Sequence, residues 1–267
     1  MLATSEAIQQ AFLRAKQNRR PAFLPFIMAG YPNYEQTIKI ALTLQESGAD
    51  IIELGFPYSD PLADGPVLQE AAEHALKQGM TFSKGLELIR DLRKRGLTIP
   101  ILAFCYYNPI YQYGLERFVQ EAQEAGANGV LVPDLPHEEA SPLSSICREN
   151  NFAFISLVAP TSKERIKQIV EHAQGFIYCI SSLGVTGIRD RFSEELDGFL
   201  KEVRNHTSLP LAVGFGVSKK EHVDFLAPQV DGIIVGSAIV RKIGEHLLEY
   251  QDEQKEEEAI LALKRFV

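Results

Sequence analysis

Ala49-Asp50-Ile51-Ile52-Glu53-Leu54-Gly55-Phe56-Pro57-Tyr58-Ser59-Asp60-Pro61-Leu62-Ala63-Asp64-Gly65-Pro66-Val67-Leu68-Gln69 is the stretch from which the fold is read. Its first part is a short β-branched apolar run closed by Gly55 and Pro57, the pattern of a buried strand. Alternation along that strand sends Ile52 and Leu54 to one side and Ile51, Glu53 and Gly55 to the other. Glu53 thereby puts a carboxylate into an apolar strand, where an ionised group is costly unless paired. Beyond the strand, a loop stiffened by Pro57, Pro61 and Pro66 carries Ser59, Asp60 and Asp64. A strand-borne carboxylate with two more on the following loop is the layout of an acid/base site. The same residues have plainer uses, with Glu53 as half of a structural ion pair and Asp60 and Asp64 as caps of turns or of a helix.

Outward from this stretch the chain alternates. Residues 4 to 18 predict a helix capped by Thr4 or Ser5, with Ile8, Ala11, Phe12 and Ala15 at helical spacing. Residues 22 to 29 predict the first strand and 33 to 46 the next helix, ended by Gly48. After the Asp64 loop, two helical segments fit between Gly65 and Gly96. The third strand reads from Ile99 through Tyr107. Strands then recur at 129–132, 153–158, 176–180, 209–213 and 232–235, with helices near 115–125, 141–149 and 165–172 between them. The chain ends in amphipathic helix, with Ile260, Leu263 and Val267 as one stripe. Eight strand runs, each followed by helix, predict an α/β protein, a (β/α)₈ barrel with an extra N-terminal helix and an extra helix after strand 2. An open doubly wound sheet is the competing plan, but it usually opens on a glycine-rich first turn, and here that turn carries only Gly30.

Composition fits this plan. The 267 residues match one barrel, so residues 1–267 are expected to form a single domain. At 45% hydrophobic and 23% charged residues the chain is of the ordinary globular kind, and its net charge of −8 argues against a nucleic-acid binder. No apolar run is long enough to span a bilayer, and the amino terminus lacks a signal-peptide pattern. Cys105, Cys147 and Cys179 are odd in number and show no metal-like spacing, which suits a reducing cytoplasm. The six histidines show no paired metal motif either. The acidic run Glu256 to Glu258 reads as a solvated helix face.

In a barrel, function sits on the loops after the strands. Those after strands six, seven and eight are punctuated by glycine: Ser181 to Arg191, Val213-Gly214-Phe215-Gly216-Val217-Ser218, and Val235-Gly236-Ser237-Ala238. Glycines admit an anion close to backbone N–H groups, and Ser218 and Ser237 stand where a helix begins. Three such loops in consecutive units point to a phosphate.

The residues also carry a resemblance. The run Glu53 to Pro66 is similar to the signature of the tryptophan synthase alpha subunit family. The likeness extends to Phe23 to Gly30, Tyr107-Asn108-Pro109, Val132 to Pro136, Gly184 to Gly187, Gly214-Phe215-Gly216 and Gly236 to Val240, nearly the whole chain in order. The resemblance implies a (β/α)₈ barrel that cleaves indole-3-glycerol phosphate to indole and glyceraldehyde 3-phosphate in tryptophan biosynthesis. It implies no cofactor in this chain, and a pyridoxal-phosphate β subunit as partner in an α2β2 tetramer. Glu53 is then the general acid/base and Asp64 the carboxylate facing the indole nitrogen. Phe26 lines the indole pocket and Tyr178 lies near the substrate, each with core packing as its plain alternative. Thr186 and Gly187 match the loop that closes over substrate, and Gly187, Gly214, Gly216, Gly236 and Ser237 the substrate and phosphate loops. Asn108, Pro109 and Asp134 match contacts to the β subunit, while Asp60 is given a loop-fixing role. The run Ile188 to Arg191 falls where the family varies.

The retro-aldol step explains these residue types. One carboxyl must protonate indole C3, one carboxylate must hold the ring N–H, and the side-chain hydroxyl must lose its proton. An apolar pocket would raise the pKa of Glu53, and Asp64 should stay ionised. Two other readings compete. Another phosphate-binding barrel enzyme, such as a sugar-phosphate isomerase or a standalone indole-releasing lyase, shares the loops; a Schiff-base lyase would need a strand lysine, and no strand run has one. A non-catalytic barrel that activates a partner would not need the carboxylates of Glu53 and Asp64.

Overall fold

Eight short strands close into a parallel barrel in chain order, each hydrogen-bonded to the next and the eighth to the first. They are β1 Ala22–Met28, β2 Ile52–Gly55, β3 Ile101–Phe104, β4 Gly129–Leu131, β5 Ala153–Val158, β6 Ile177–Ile180, β7 Leu211–Gly214 and β8 Gly232–Val235. The structure, a computed structural model, describes residues 4–180, 189–214, 216–217, 219–252 and 254–267, and of 163, 189–194 and 251 the backbone alone. The strands are buried almost throughout, as expected where helices cover the outside and side chains fill the inside.

The helices follow the sequence pattern closely. Helix α1, Ser5–Gln17, precedes the barrel and buries Ile8, Ala11, Phe12 and Ala15. Thr4 precedes it without a side-chain cap bond, unlike Asn33, whose side chain accepts from Gln36 N at the start of α2, Tyr34–Glu46. After β2 come α3, Pro66–Lys77, and α4, Phe82–Lys94, the expected doubling. Arg93 near the end of α4 donates to the carbonyls of Leu97, Ile99 and Gly126 and to Asn128 Oδ1, tying α4 to the start of β3 and to the turn before β4.

The structure corrects the sequence reading after β3. Tyr106 and Tyr107 do not extend that strand. Tyr107–Tyr113 is a separate helix, α5, followed by α6, Leu115–Ala125. The β-forming aromatics misled, whereas Pro109 is tolerated because it is the third helical residue, where its N–H would have had no partner. Gly114, at φ +96, turns α5 into α6. Strand seven also starts two residues later than expected, beyond Pro210.

The remaining crossovers are α7 Ser141–Glu149, α8 Ile166–Glu171, α9 Arg189–His206, α10 Lys220–Leu226 and α11 Ser237–Glu245, with α12 Glu256–Phe266 ending the chain. Helix α12 buries Leu263 and packs Ile260 half-buried against the core, as expected, together with Ala259, whereas Val267 is exposed. Among the described residues no helix is long and apolar enough to cross a membrane.

Candidate active site

Barrel registration brings the candidate side chains together. Glu53 on β2 pairs with Phe26 on β1 and with Leu102 on β3. Period-two alternation then turns Phe26, Glu53, Phe104, Tyr178 and Ile234 inward from five strands. With Asp64 from the β2–α3 loop and Gly216, Gly236 and Ser237 from the loops after β7 and β8, they line a cavity of about 160 Å³. Larger grooves exist, including one of about 760 Å³ at the strand-start end of the barrel, but it lacks a buried unpaired acid. The two candidate carboxylates meet in the small cavity.

Glu53 is 1% exposed, and its Oε1 has no hydrogen-bond partner among the described residues. The structural ion pair is therefore not what holds it there. Burial pushes its carboxyl up to about 8, so at neutral pH it carries a proton. Asp64 is partly buried. Burial raises it to about 6, and a hydrogen bond from Tyr106 works against that rise. At pH 7 the cavity thus holds one neutral carboxylic acid and one carboxylate, a split between two like groups that suits acid/base work. Tyr178 is buried, and burial together with the nearby Glu53 and Asp64 keeps its hydroxyl protonated. A Cβ at Gly214 would lie 2.2 Å from the Tyr178 hydroxyl, so glycine at the end of β7 makes room for that side chain.

The cavity's far wall suits an anion. Gly236 caps α11 and Ser237 begins it, so the amino end of that helix borders the cavity. Gly216 adopts φ +80, open to glycine at little cost. Among the described residues no cationic side chain lines the cavity, and the donors there include the backbone amides around Gly216, Gly236 and Ser237. Thr186, Gly187 and Ser218 lie outside the described residues.

The other candidates stand apart from the cavity. Asn108 and Pro109 lie on α5, and Asp134 follows β4. Tyr107 N donates to Asp134 Oδ1 at 2.8 Å, and Asn108 Nδ2 donates to the Tyr58 hydroxyl at 3.1 Å. Asp60 is exposed and accepts from Ser59 Oγ at 2.6 Å, a loop-internal bond. Sequence reasoning missed Phe104, Leu68 and Ile234 in the lining. Which face Phe104 and Ile234 take depends on the register of β3 and β8 against their neighbours, and nothing in the chain sets them apart from ordinary core.

A family profile described as tryptophan synthase alpha chain matches residues 12–266. The tryptophan synthase alpha chain of Halalkalibacterium halodurans is 53% identical over 253 residues, covering 95% of this chain and 96% of that one. The crystal structure of tryptophan synthase subunit alpha from Legionella pneumophila superposes with a TM-score of 0.85 at 35% identity, over 97% of each chain. A chain of tryptophan synthase from M. tuberculosis gives 0.81 at 30% identity, over 97% of this chain and 98% of that one.

Proposed function

The chain belongs to the tryptophan synthase alpha chain family, and on that premise we propose that Glu53 and Asp64 carry out its cleavage of indole-3-glycerol phosphate. The family's reaction is a carbon–carbon lyase step giving indole and glyceraldehyde 3-phosphate. The observation that carries the assignment is a buried Glu53, its Oε1 without a partner among the described residues, sharing one small cavity with Asp64. Neutral Glu53 donates its proton to indole C3, while the Asp64 carboxylate accepts the ring N–H and stabilises the positive charge that develops there. The electrons of the bond from C3 to the side chain return to the ring as that bond breaks. The side-chain hydroxyl loses its proton to the Glu53 carboxylate, leaving an aldehyde and restoring the acid. Phe26 and Phe104 flank Glu53, Tyr178 fills the cavity beside it, and the amides around Gly216, Gly236 and Ser237 hold the phosphate. Thr186 and Gly187 are assigned to closure over the substrate.

The phosphate assignment has a direct test. A Cβ at Gly236 would meet only Phe26, at 3.5 Å, so a side chain fits there without breaking the fold. Gly236→Val should crowd the anion's place, raising KM for indole-3-glycerol phosphate and weakening glycerol phosphate binding by ~10-fold or more, with a smaller effect on kcat. Unchanged glycerol phosphate affinity would move the site elsewhere.

The alpha chain of this family needs no cofactor; pyridoxal phosphate belongs to the beta subunit with which it forms a complex. We place the partner face, and the α2β2 assembly, on the loops that hold Asn108, Pro109 and Asp134. Two large apolar side chains support that placement: Leu62 at the tip of the β2–α3 loop, 92% exposed, and Tyr111 on α5, 63% exposed. Residues 1–267 are taken as one catalytic unit working in the cytoplasm. If the partner favours a closed site, it acts by shifting a population, and ~1.4 kcal/mol is worth tenfold. Adding a pyridoxal-phosphate beta subunit should therefore speed cleavage at least ~10-fold, and Leu62→Asp should blunt that activation. Full speed without the partner would instead favour a standalone lyase.

A further inference from the structure

Tyr106, between β3 and α5, is buried although it takes no part in the barrel ladder. Its hydroxyl accepts the Ala63 amide at 3.0 Å, which leaves its own proton to be donated to the neighbouring Asp64 carboxylate. Its ring packs on Tyr58 with centroids 5.3 Å apart, and the Tyr58 hydroxyl accepts from Asn108. The next residue's amide is held by Asp134. One run of contacts thus joins the loops after β2, β3 and β4 and ends on Asp64.

We propose that Tyr106 is a positioning residue for the reaction, holding the β2–α3 loop and fixing the place of the Asp64 carboxylate through its hydroxyl. The inference rests on the role given to Asp64 above and adds the group that sets its geometry and charge. Among the described residues the titratable groups facing this pair are Glu53 from β2, Tyr178 from β6 and Asp134 from the loop after β4, and none of them is a cation. The Tyr106 hydroxyl is therefore the group that opposes the burial of Asp64.

Tyr106→Phe keeps the ring against Tyr58 and removes both hydroxyl bonds. Carbon-13 NMR of the intact, substrate-free chain labelled at aspartate, with Asp64 assigned through Asp64→Asn, reads the consequence. The Asp64 titration midpoint should rise by ~0.5–1 pH unit. The acid limb of kcat/KM should rise with it, and kcat should fall ~10-fold while KM changes little. Tyr58→Phe, which leaves the Tyr106 hydroxyl in place, should leave the midpoint where it is. An unmoved midpoint in Tyr106→Phe, or an equal rise in Tyr58→Phe, would overturn the proposal. Failure of the unmodified chain to release indole would contradict the proposed reaction instead, and the NMR comparison would still decide the role of Tyr106.

Discussion

Glu53→Gln should lower the turnover of indole-3-glycerol phosphate by at least ~10² while leaving substrate binding nearly intact. The amide keeps the size of the side chain but has no proton to give to C3 and cannot take one from the hydroxyl. Because the interaction is made only in the transition state, the loss should appear in kcat rather than in KM. The same variant should also gain stability at high pH. Glu53 has its pKa raised from 4.5 to about 8 by burial, so the folded state holds its proton longer than the unfolded chain does. That contribution is fully present below pH 4.5 and is lost as pH rises through about 8. Thermal melts at pH 9 should therefore favour Glu53→Gln by ~2–4 kcal/mol, with the gap closing at pH 4. A variant that keeps most of its turnover would remove Glu53 from the chemistry.

Asp64→Asn should cost a comparable ~10² in kcat/KM, for a different reason. The neutral amide keeps a hydrogen-bond acceptor for the ring N–H but no charge to stabilise the protonated ring. In a partly buried site that charge is worth more than in water. The variant should also lose the acid limb of the pH profile, since that limb reports protonation of Asp64. Steady-state assays of indole release from pH 5 to 9 check both points. Near-normal activity in Asp64→Asn would reduce Asp64 to a helix-start residue before α3.

The barrel was legible because most β units advertise themselves twice, by a short apolar run and by the Gly or Pro that ends it; β3, followed by Cys105-Tyr106-Tyr107, has no such stop and was read too long. Glu53 stood out because it interrupts the apolar run of its own strand, where a carboxylate needs an explanation; that its neighbours are Phe26 and Leu102 came only with the strand register. Asp64 was less visible. It sits on a loop rich in turn residues, and only its match to a known motif separated it from Asp60, which the structure leaves exposed. Helix α5 was hidden because Tyr106, Tyr107 and Tyr111 favour strands by propensity, while the helix is set by Gly114 and by packing that propensity does not contain. Tyr106 was hidden more deeply. A tyrosine in an aromatic run reads as core, and its bonds to Ala63 and Asp64 span some forty residues of sequence.

On the proposed mechanism one cavity holds a neutral acid at Glu53 and a carboxylate at Asp64 at working pH. The pH dependence of kcat/KM for indole-3-glycerol phosphate, measured on the isolated chain and on Glu53→Gln, reads this pair of charge states because it reports the free enzyme's essential groups. The expected profile is a bell, falling below about 6 as Asp64 takes a proton and above about 8 as Glu53 loses its own. In Glu53→Gln the residual activity should lose the alkaline limb and keep the acid one. A profile flat from pH 5 to 9, or an alkaline limb that survives the substitution, would contradict the assignment.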